Sequence, residues 1–113
     1  ALPKSEINPF ETCSENKTYI IKQLTTSRQL YLEGYDLKHC VYTYVSRCMW
    51  RDCQIFSLRM LDREEETPLL TIELDGASIV QIRGKHNRSA TLSELELVKS
   101  WAKKEKLYLY EAA

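Results

Sequence analysis

Three consecutive segments in which apolar and polar side chains alternate constrain the fold of this chain most strongly. They lie at residues 54–61, 68–74 and 77–83, and Asp75-Gly76 between the last two is typical of a tight hairpin. Because successive side chains of a strand point to opposite sides of a sheet, each segment presents one apolar and one polar face. The sequence therefore predicts neighbouring antiparallel strands whose apolar faces line a common core.

Two helix starts precede these strands. Thr26 and Gln29 have the spacing of a capping box, and Gly34 is the expected end of this helix. Asp36 has the side chain of a second N-cap, in front of apolar residues at helical spacing. We therefore expect a short helix at residues 27–33 and a longer one at residues 37–49.

A further helix follows the strands. It begins at the capping box of Thr91 and Glu94, and its apolar spacing extends it to residue 105. Two more strands are predicted at residues 18–24 and 107–110. The apolar stripes of the second and last helices match the apolar face of the sheet. The predicted fold class is therefore α+β: two layers, with a mainly antiparallel sheet of three to five strands and two principal helices packed on one face.

The chain has the organisation of one domain. Residues 1–16 lack periodicity and are expected to form an irregular N-terminal lead-in, while residues 17–113 form the α+β domain. The net charge is zero, because there are 16 lysine and arginine residues and 16 aspartate and glutamate residues. This balance excludes binding of nucleic acid through the overall charge of the protein. No apolar run reaches the roughly 20 residues of a membrane span, and no signal peptide is visible around Pro3 and Pro9. We expect a cytoplasmic protein without a membrane partner.

The four cysteines do not follow a common metal-binding pattern. No two of them form a CxxC pair, since they stand at Cys13, Cys40, Cys48 and Cys53. The simplest interpretation is that they are buried and reduced thiols. A metal site formed by cysteine together with His39 remains the alternative. The carboxylate cluster of a two-metal nuclease is also missing from the pattern. We therefore expect no metal and no cofactor.

The polar side chains of the three strands assemble into one surface, the polar sheet face. They are Ser57, Arg59, Thr71, Glu73, Gln81 and Arg83. One explanation is a solvated sheet face, on which cross-strand pairs such as Arg59–Glu73 add modest stability. The other explanation is a ligand site, which is favoured by the scarcity of lysine and glutamate in this set and by the donor-rich loop at residues 84–88.

Several motifs, in order along the chain, carry a resemblance to a known family. They are Glu33-Gly34-x-x-Leu37-x-His39-Cys40-Val41-x-x-Tyr44, Ile55-Phe56-Ser57-Leu58-Arg59, Pro68-x-x-Thr71-Ile72-Glu73 and Gln81-x-Arg83-Gly84-x-x-Asn87. In this order and spacing, residues 33–101 closely resemble the PcfJ-like domain. The resemblance implies a context on plasmids, phages and related mobile elements, and it implies no particular reaction. Its signature includes all six residues of the polar sheet face.

The first hypothesis places a catalytic or ligand site on the polar sheet face. His39 has the chemistry of a general acid or base, and Glu73 can act as a base or orient a hydroxyl. Arg59 can hold a phosphate, while Gln81 can bond the edge of a nucleobase or a ribose. The expected ligand-binding residues are Ser57, Thr71, Arg83, Lys85 and Asn87. These groups suit metal-independent action on nucleic acid or a nucleotide, although His39 reaches this face only around a sheet edge.

The second hypothesis is a module without catalysis. Its cationic residues are Arg59, Arg83, Lys85, His86 and Arg88, and Tyr35 and Tyr42 lie near enough in sequence to add stacking. Binding to another protein of a conjugation or phage-related complex is equally compatible. A concave pocket of partly buried polar groups favours catalysis, whereas an open surface with exposed cations favours binding. Whether the domain is an enzyme is left open by the sequence.

Overall fold

The architecture is a single curled sheet with helices against it, in a computed structural model that describes residues 7–38 and 53–109. The strands are β1 (Phe10–Ser14), β2 (Lys17–Leu24), β3 (Cys53–Asp62), β4 (Glu65–Asp75), β5 (Ser78–Arg83) and β6 (Tyr108–Leu109). The helices are α1 (Ser27–Leu37) and α2 (Leu92–Glu105), and Lys85–Asn87 form a 3₁₀ turn. The predicted α+β class is confirmed.

The sheet is larger and less regular than predicted. Within the described residues, six strands follow one another in chain order from β1 to β6; neighbours from β1 to β5 are antiparallel, and β6 runs parallel to β5. The expected three to five strands are therefore six, in a mixed sheet. β1 lies where an irregular lead-in was predicted, because a five-residue strand with mostly polar side chains takes its conformation from pairing with β2.

Two hairpins connect the central strands, and the predicted hairpin between β4 and β5 is confirmed. The hairpin predicted from Asp75-Gly76 is present, with Gly76 at a φ of +62°, but its two turn residues are Gly76 and Ala77 because Asp75 pairs with Ser78. The charged residues 62–67, between the predicted strands 54–61 and 68–74, are not a six-residue loop, since β3 and β4 extend into them. The turn itself is Arg63-Glu64, with φ values of 50° and 72°. Backbone pairing thus extends into a segment whose composition suggested a loop.

α1 begins as predicted and ends later. Thr26 Oγ1 accepts a hydrogen bond from the Gln29 backbone N–H at 3.1 Å, and the Gln29 side chain accepts one from the Thr26 N–H, which completes the capping box. The predicted stop at Gly34 and the predicted N-cap at Asp36 are wrong, because the helix runs through both. Burial of Leu37 on the sheet outweighs the roughly 1 kcal/mol that glycine costs inside a helix. The rest of the predicted 37–49 helix lies outside the described residues.

The two described helices lie on opposite faces of the sheet. Val98, Trp101 and Ala102 of α2 pack on the apolar face, where the rings of Trp101 and Phe56 have centroids 5.0 Å apart. α1 instead contacts Ser57, whose side chain alternates with that of Phe56 and so points to the other side. The prediction that the second and last helices share one face stays a prediction, because residues 39–49 of the second helix lie outside the described residues. α1 can pack on the polar sheet face because its Glu33 side chain accepts hydrogen bonds from Ser57 and Thr71 of that face.

The sheet face that α1 covers also contains buried apolar residues. Leu24 and Ile55 are register partners on β2 and β3, so their side chains share a face. Both are fully buried, as are Leu30 and Leu37 of α1, and none of the four belongs to the main apolar cluster under α2. α1 is therefore anchored by apolar residues at both ends, with a polar centre between them.

Candidate functional site

The centre of the polar sheet face is a buried carboxylate cluster built on Glu33. Ser57 Oγ donates to Glu33 Oε1 at 2.9 Å, and Thr71 Oγ1 donates to Oε2 at 2.8 Å. Arg59 Nη2 donates to Oε1 at 2.9 Å. Glu33 has 0% of its surface exposed. We call these four residues the Glu33 cluster; it joins α1 to β3 and β4 through three hydrogen bonds to one carboxyl group.

Arg59 connects the Glu33 cluster to the surface. Its Nε donates to Ser57 Oγ at 3.0 Å, and its Nη1 donates to Glu66 Oε1 at 3.3 Å. Glu66 also pairs with Lys22 Nζ at 2.6 Å. The guanidinium is therefore held between a buried and a half-exposed carboxylate. This engagement positions α1 on the sheet, and it leaves Arg59 little capacity for a phosphate.

The protonation of Glu33 depends on its burial. Burial raises the pKa of the Glu33 carboxyl above its ordinary value, and the hydrogen bonds from Ser57, Thr71 and Arg59 offset only part of this effect. Glu66 behaves in the opposite way, since its hydrogen bond with Lys22 lowers its pKa. The two carboxyl groups that bind the same arginine therefore respond to pH with opposite sign.

A pH dependence of folding follows from this difference. Because the folded state raises the pKa of Glu33, the protonated form stabilises the fold, and this contribution is lost as the pH rises from about 4.3 through the raised pKa. We expect the urea unfolding free energy of the wild type, relative to Glu33→Gln, to fall over that range. Glu66→Gln is the matched variant. The unfolding free energy of the wild type relative to Glu66→Gln should rise with pH, because the pKa of Glu66 is lowered in the folded state and its carboxylate stabilises the fold once the pH exceeds the ordinary pKa of glutamate. A difference between wild type and Glu33→Gln that is flat from pH 4 to pH 8 contradicts the assignment.

The remaining polar residues lie in two rows across the strands. Ser57, Thr71 and Arg83 are successive register partners on β3, β4 and β5, and Glu73 pairs with Gln81 one row further. Glu73 is buried, while Gln81 and Arg83 are half-buried. Alternation correctly placed Ser57, Arg59 and Thr71 on one face. The structure shows that Glu33 occupies the middle of that face.

Arg83 differs from the other arginines of this region. Its Nη1 donates to the Ile82 carbonyl at 2.7 Å, and it forms no ion pair with any residue in the ranges 7–38 and 53–109. Arg88, by contrast, donates from Nη1 and Nη2 to the two carboxylate oxygens of Glu94, at 2.8 and 2.9 Å. Arg83 is therefore a half-buried cation whose charge no described carboxylate balances.

The loop after β5 holds its cations at the surface. Lys85, His86 and Asn87 are exposed, and Lys85 makes no side-chain hydrogen bond or ion pair within the described part of the chain. A Cβ on Gly84 would lie 2.7 Å from Arg88 Cζ, so glycine lets the Arg88 side chain cross the loop to Glu94. The predicted cationic patch is thus divided: Arg59 and Arg88 are engaged by carboxylates, and Arg83 and Lys85 are not.

A groove of about 520 Å³ lies beside α1. It is lined by Asp36, Leu37, Glu66, Thr67, Pro68, Leu69, Lys85 and Arg88. These residues belong to the end of α1, the start of β4 and the loop after β5. Its volume falls in the range of small-molecule sites, and acidic and basic side chains are equal in number along it. Of these wall residues, only Lys85 and Arg88 had been predicted to contribute to a binding site.

The predicted catalytic set is not gathered at one point in the described structure. His39 and Tyr42 lie outside the described residues, and Arg59 is two register rows from Glu73 and Gln81. Sequence reasoning missed the central position of Glu33, although it stands in the family-like motif. The available signal was a glutamate between Leu30 and Leu37 on the buried side of one helix.

The described residues contain neither a metal-binding cluster nor a membrane-spanning helix. Within ranges 7–38 and 53–109, no group of three or more histidine, cysteine, aspartate or glutamate side chains is arranged to hold a metal ion. In the same ranges, neither helix has the length and apolar character needed to cross a membrane. Cys13 is an exposed free thiol on β1, which corrects the expectation of burial for that cysteine.

Comparison with known proteins finds one family. A family model described as PcfJ-like protein matches residues 3–98. No curated protein and no solved structure matches the chain. The matched range extends from before β1 into α2, so it includes the whole Glu33 cluster and also Gln81, Arg83 and Lys85.

Proposed function

Because the chain belongs to the PcfJ-like protein family, we propose that it is a mobile-element-associated domain that binds nucleic acid or a nucleotide without a metal ion. Plasmid and conjugation contexts are part of this proposal, as is a cytoplasmic location. The site is the part of the polar sheet face that α1 leaves accessible, around Gln81 and Arg83, together with Lys85 on the adjoining loop.

The unbalanced charge of Arg83 is the observation that carries this proposal. A guanidinium offers forked donors that match phosphate oxygens, and a half-buried one has lost part of its hydration and benefits from an anionic partner. Gln81 lies two residues away on the same side of β5, with an amide suited to the edge of a base. Lys85 adds a second cation beyond Gly84. Residues 81–85 thus contribute side chains whose chemistry suits a phosphate and the edge of a base.

Binding rather than catalysis is the function that these contacts support. Arg59 and Ser57 are committed to Glu33, so their role is to position α1. Buried Glu73 remains paired in register with the half-buried Gln81, and His39 is kept as a candidate acid or base on the strength of its chemistry. Product analysis in the binding experiment distinguishes a catalytic domain from a binding domain.

The variant Arg83→Gln is expected to weaken binding of short RNA and DNA oligonucleotides roughly tenfold at low salt, since a hydrogen bond to a charged group contributes about 1.5–3 kcal/mol. Loss of one phosphate contact should also reduce the slope of log K against log salt by about 0.7 for single strands. Fluorescence anisotropy at several salt concentrations measures both. Arg63→Gln, at the exposed β3–β4 turn, is the matched control and should bind like the wild type.

The unfolding free energy of Arg83→Gln should remain close to that of the wild type, because no described ion pair is lost. Equal binding by both variants and the wild type contradicts the assignment of Arg83. If the wild type binds no oligonucleotide and no nucleotide, the proposal fails. The protein-interaction alternative then takes its place.

A further inference from the structure

The solvent side of α1 carries aromatic and cationic residues that the Glu33 cluster does not use. Arg28, Tyr31, Tyr35 and Lys38 follow one another at intervals of three, four and three residues. This spacing places them along one side of the helix and its C-cap, apart from the buried positions Leu30, Glu33 and Leu37. We call these four residues the outer stripe.

The aromatic rings of the outer stripe are unusually accessible. Tyr31 and Tyr35 have 58% and 63% of their surface exposed. Lys38 Nζ lies 4.7 Å from the centroid of the Tyr35 ring, within the distance of a cation–π contact. This contact covers part of the ring and holds a positive charge beside the aromatic surface.

The charge pattern selects the kind of partner. A cation stands at each end of the outer stripe, two tyrosines lie between them, and none of the four residues is acidic. Flat aromatic rings offer stacking surfaces to nucleobases, and flanking cations attract the phosphates between them. We propose that the outer stripe binds single-stranded nucleic acid, with bases on Tyr31 and Tyr35 and phosphates at Arg28 and Lys38. This inference rests on the proposed function and names its substrate class.

Ring spacing favours single strands over duplexes. Side chains four residues apart on a helix have Cβ atoms about 5–6 Å apart, whereas bases in a duplex follow one another every ~3.4 Å. Two neighbouring bases can therefore stack on the two tyrosine rings only if they no longer stack on each other. A flexible single strand permits this separation. α1 also contacts the 3₁₀ turn that carries Lys85, so the helix that bears the outer stripe lies next to the site of the proposed function.

The test uses short oligodeoxythymidine and oligouridine, with a duplex of the same length, against the whole chain. The double variant Tyr31→Ala, Tyr35→Ala is expected to bind both single strands at least fivefold more weakly, since aromatic-to-alanine changes remove stacking. The matched double variant to phenylalanine keeps the rings and should bind like the wild type. Tyr108→Ala is a second control, because Tyr108 is 67% exposed but lies on β6.

Removal of the two cations gives an independent measure. The double variant Arg28→Gln, Lys38→Gln should reduce the salt slope of single-strand binding by about 1.4, from about 0.7 for each phosphate contact. All variants change exposed side chains, so circular dichroism should show an intact fold. Oligodeoxythymidine and oligouridine distinguish DNA from RNA as the preferred strand.

The results separate this inference from the function on which it depends. Wild-type binding that is lost in Arg83→Gln but kept in both outer-stripe variants overturns the inference and leaves the proposed function in place. Equal or tighter binding of the duplex also overturns it. Absence of any oligonucleotide binding by the wild type overturns both. Binding weakened by the tyrosine-to-alanine variant and retained by its phenylalanine counterpart supports the outer stripe.

Discussion

Replacing Glu33 by alanine is expected to destabilise the fold by about 3–5 kcal/mol, the usual effect of removing one partner of a buried ion pair. The substitution leaves Arg59 and the hydroxyls of Ser57 and Thr71 without their shared acceptor beneath α1. Each unsatisfied buried donor carries a desolvation cost. The same change opens a gap between the anchors Leu30 and Leu37, so we expect α1 to loosen first.

Chemical denaturation of Glu33→Ala and of Glu66→Ala measures this effect. Glu66 binds the same guanidinium, but its side chain is 30% exposed, so its removal should cost only about 0–1 kcal/mol. Amide hydrogen exchange should show faster exchange in α1 for Glu33→Ala and little change for Glu66→Ala. Equal destabilisation by both variants would mean that burial of Glu33 does not determine the strength of the cluster.

Replacing Trp101 by alanine is expected to cost about 3–5 kcal/mol, because the ring fills the space between α2 and the apolar sheet face. Trp101 is fully buried against Phe56, so its loss leaves a cavity that the surrounding strands cannot close completely. Leu92→Ala on the same helix is the matched control, since Leu92 is 84% exposed. A loss below 1 kcal/mol for Trp101→Ala, measured by urea unfolding, contradicts the described core.

The variant Trp101→Phe refines this prediction. The indole Nε1 of Trp101 is buried and has no hydrogen-bond partner in the described structure. Phenylalanine removes this unsatisfied donor and keeps an aromatic ring against Phe56, so part of the volume loss is offset. We therefore expect Trp101→Phe to be clearly more stable than Trp101→Ala.

The position of α1 changes what the polar sheet face can do. A helix with a buried carboxylate covers the rows that contain Ser57 and Arg59, so these residues hold the fold together. The accessible margin at Gln81 and Arg83, the loop at Lys85 and the outer stripe of α1 remain for partners. The Glu33 cluster thus holds α1 in place, and the proposed binding surface consists of Gln81, Arg83, Lys85 and the outer stripe.

Sequence patterns were sufficient to predict the features that depend on neighbouring residues alone, namely helix caps, a hairpin and the face of each strand residue. The capping boxes at Thr26 and Thr91 are confirmed, as is the hairpin at Gly76, because each depends on contacts within a few residues; the hairpin turn lies one residue later than predicted, at Gly76-Ala77. Alternation also placed Ser57 and Thr71 on the same face, since strand geometry alone decides it. The extent of α1 past Gly34 could not be predicted in this way, because it depends on the burial of Leu37 against the sheet.

By itself, the sequence determined the α+β class, the three central strands and the family resemblance, since short-range periodicity, capping and turn chemistry encode them. Only the tertiary structure decided which face each helix covers and which arginines are already engaged. Glu33 is 24 residues from Ser57 and 38 from Thr71 in the chain, so no local pattern could reveal their shared carboxylate. Long-range pairing of buried polar groups decides which side chains stabilise the fold and which remain available to bind.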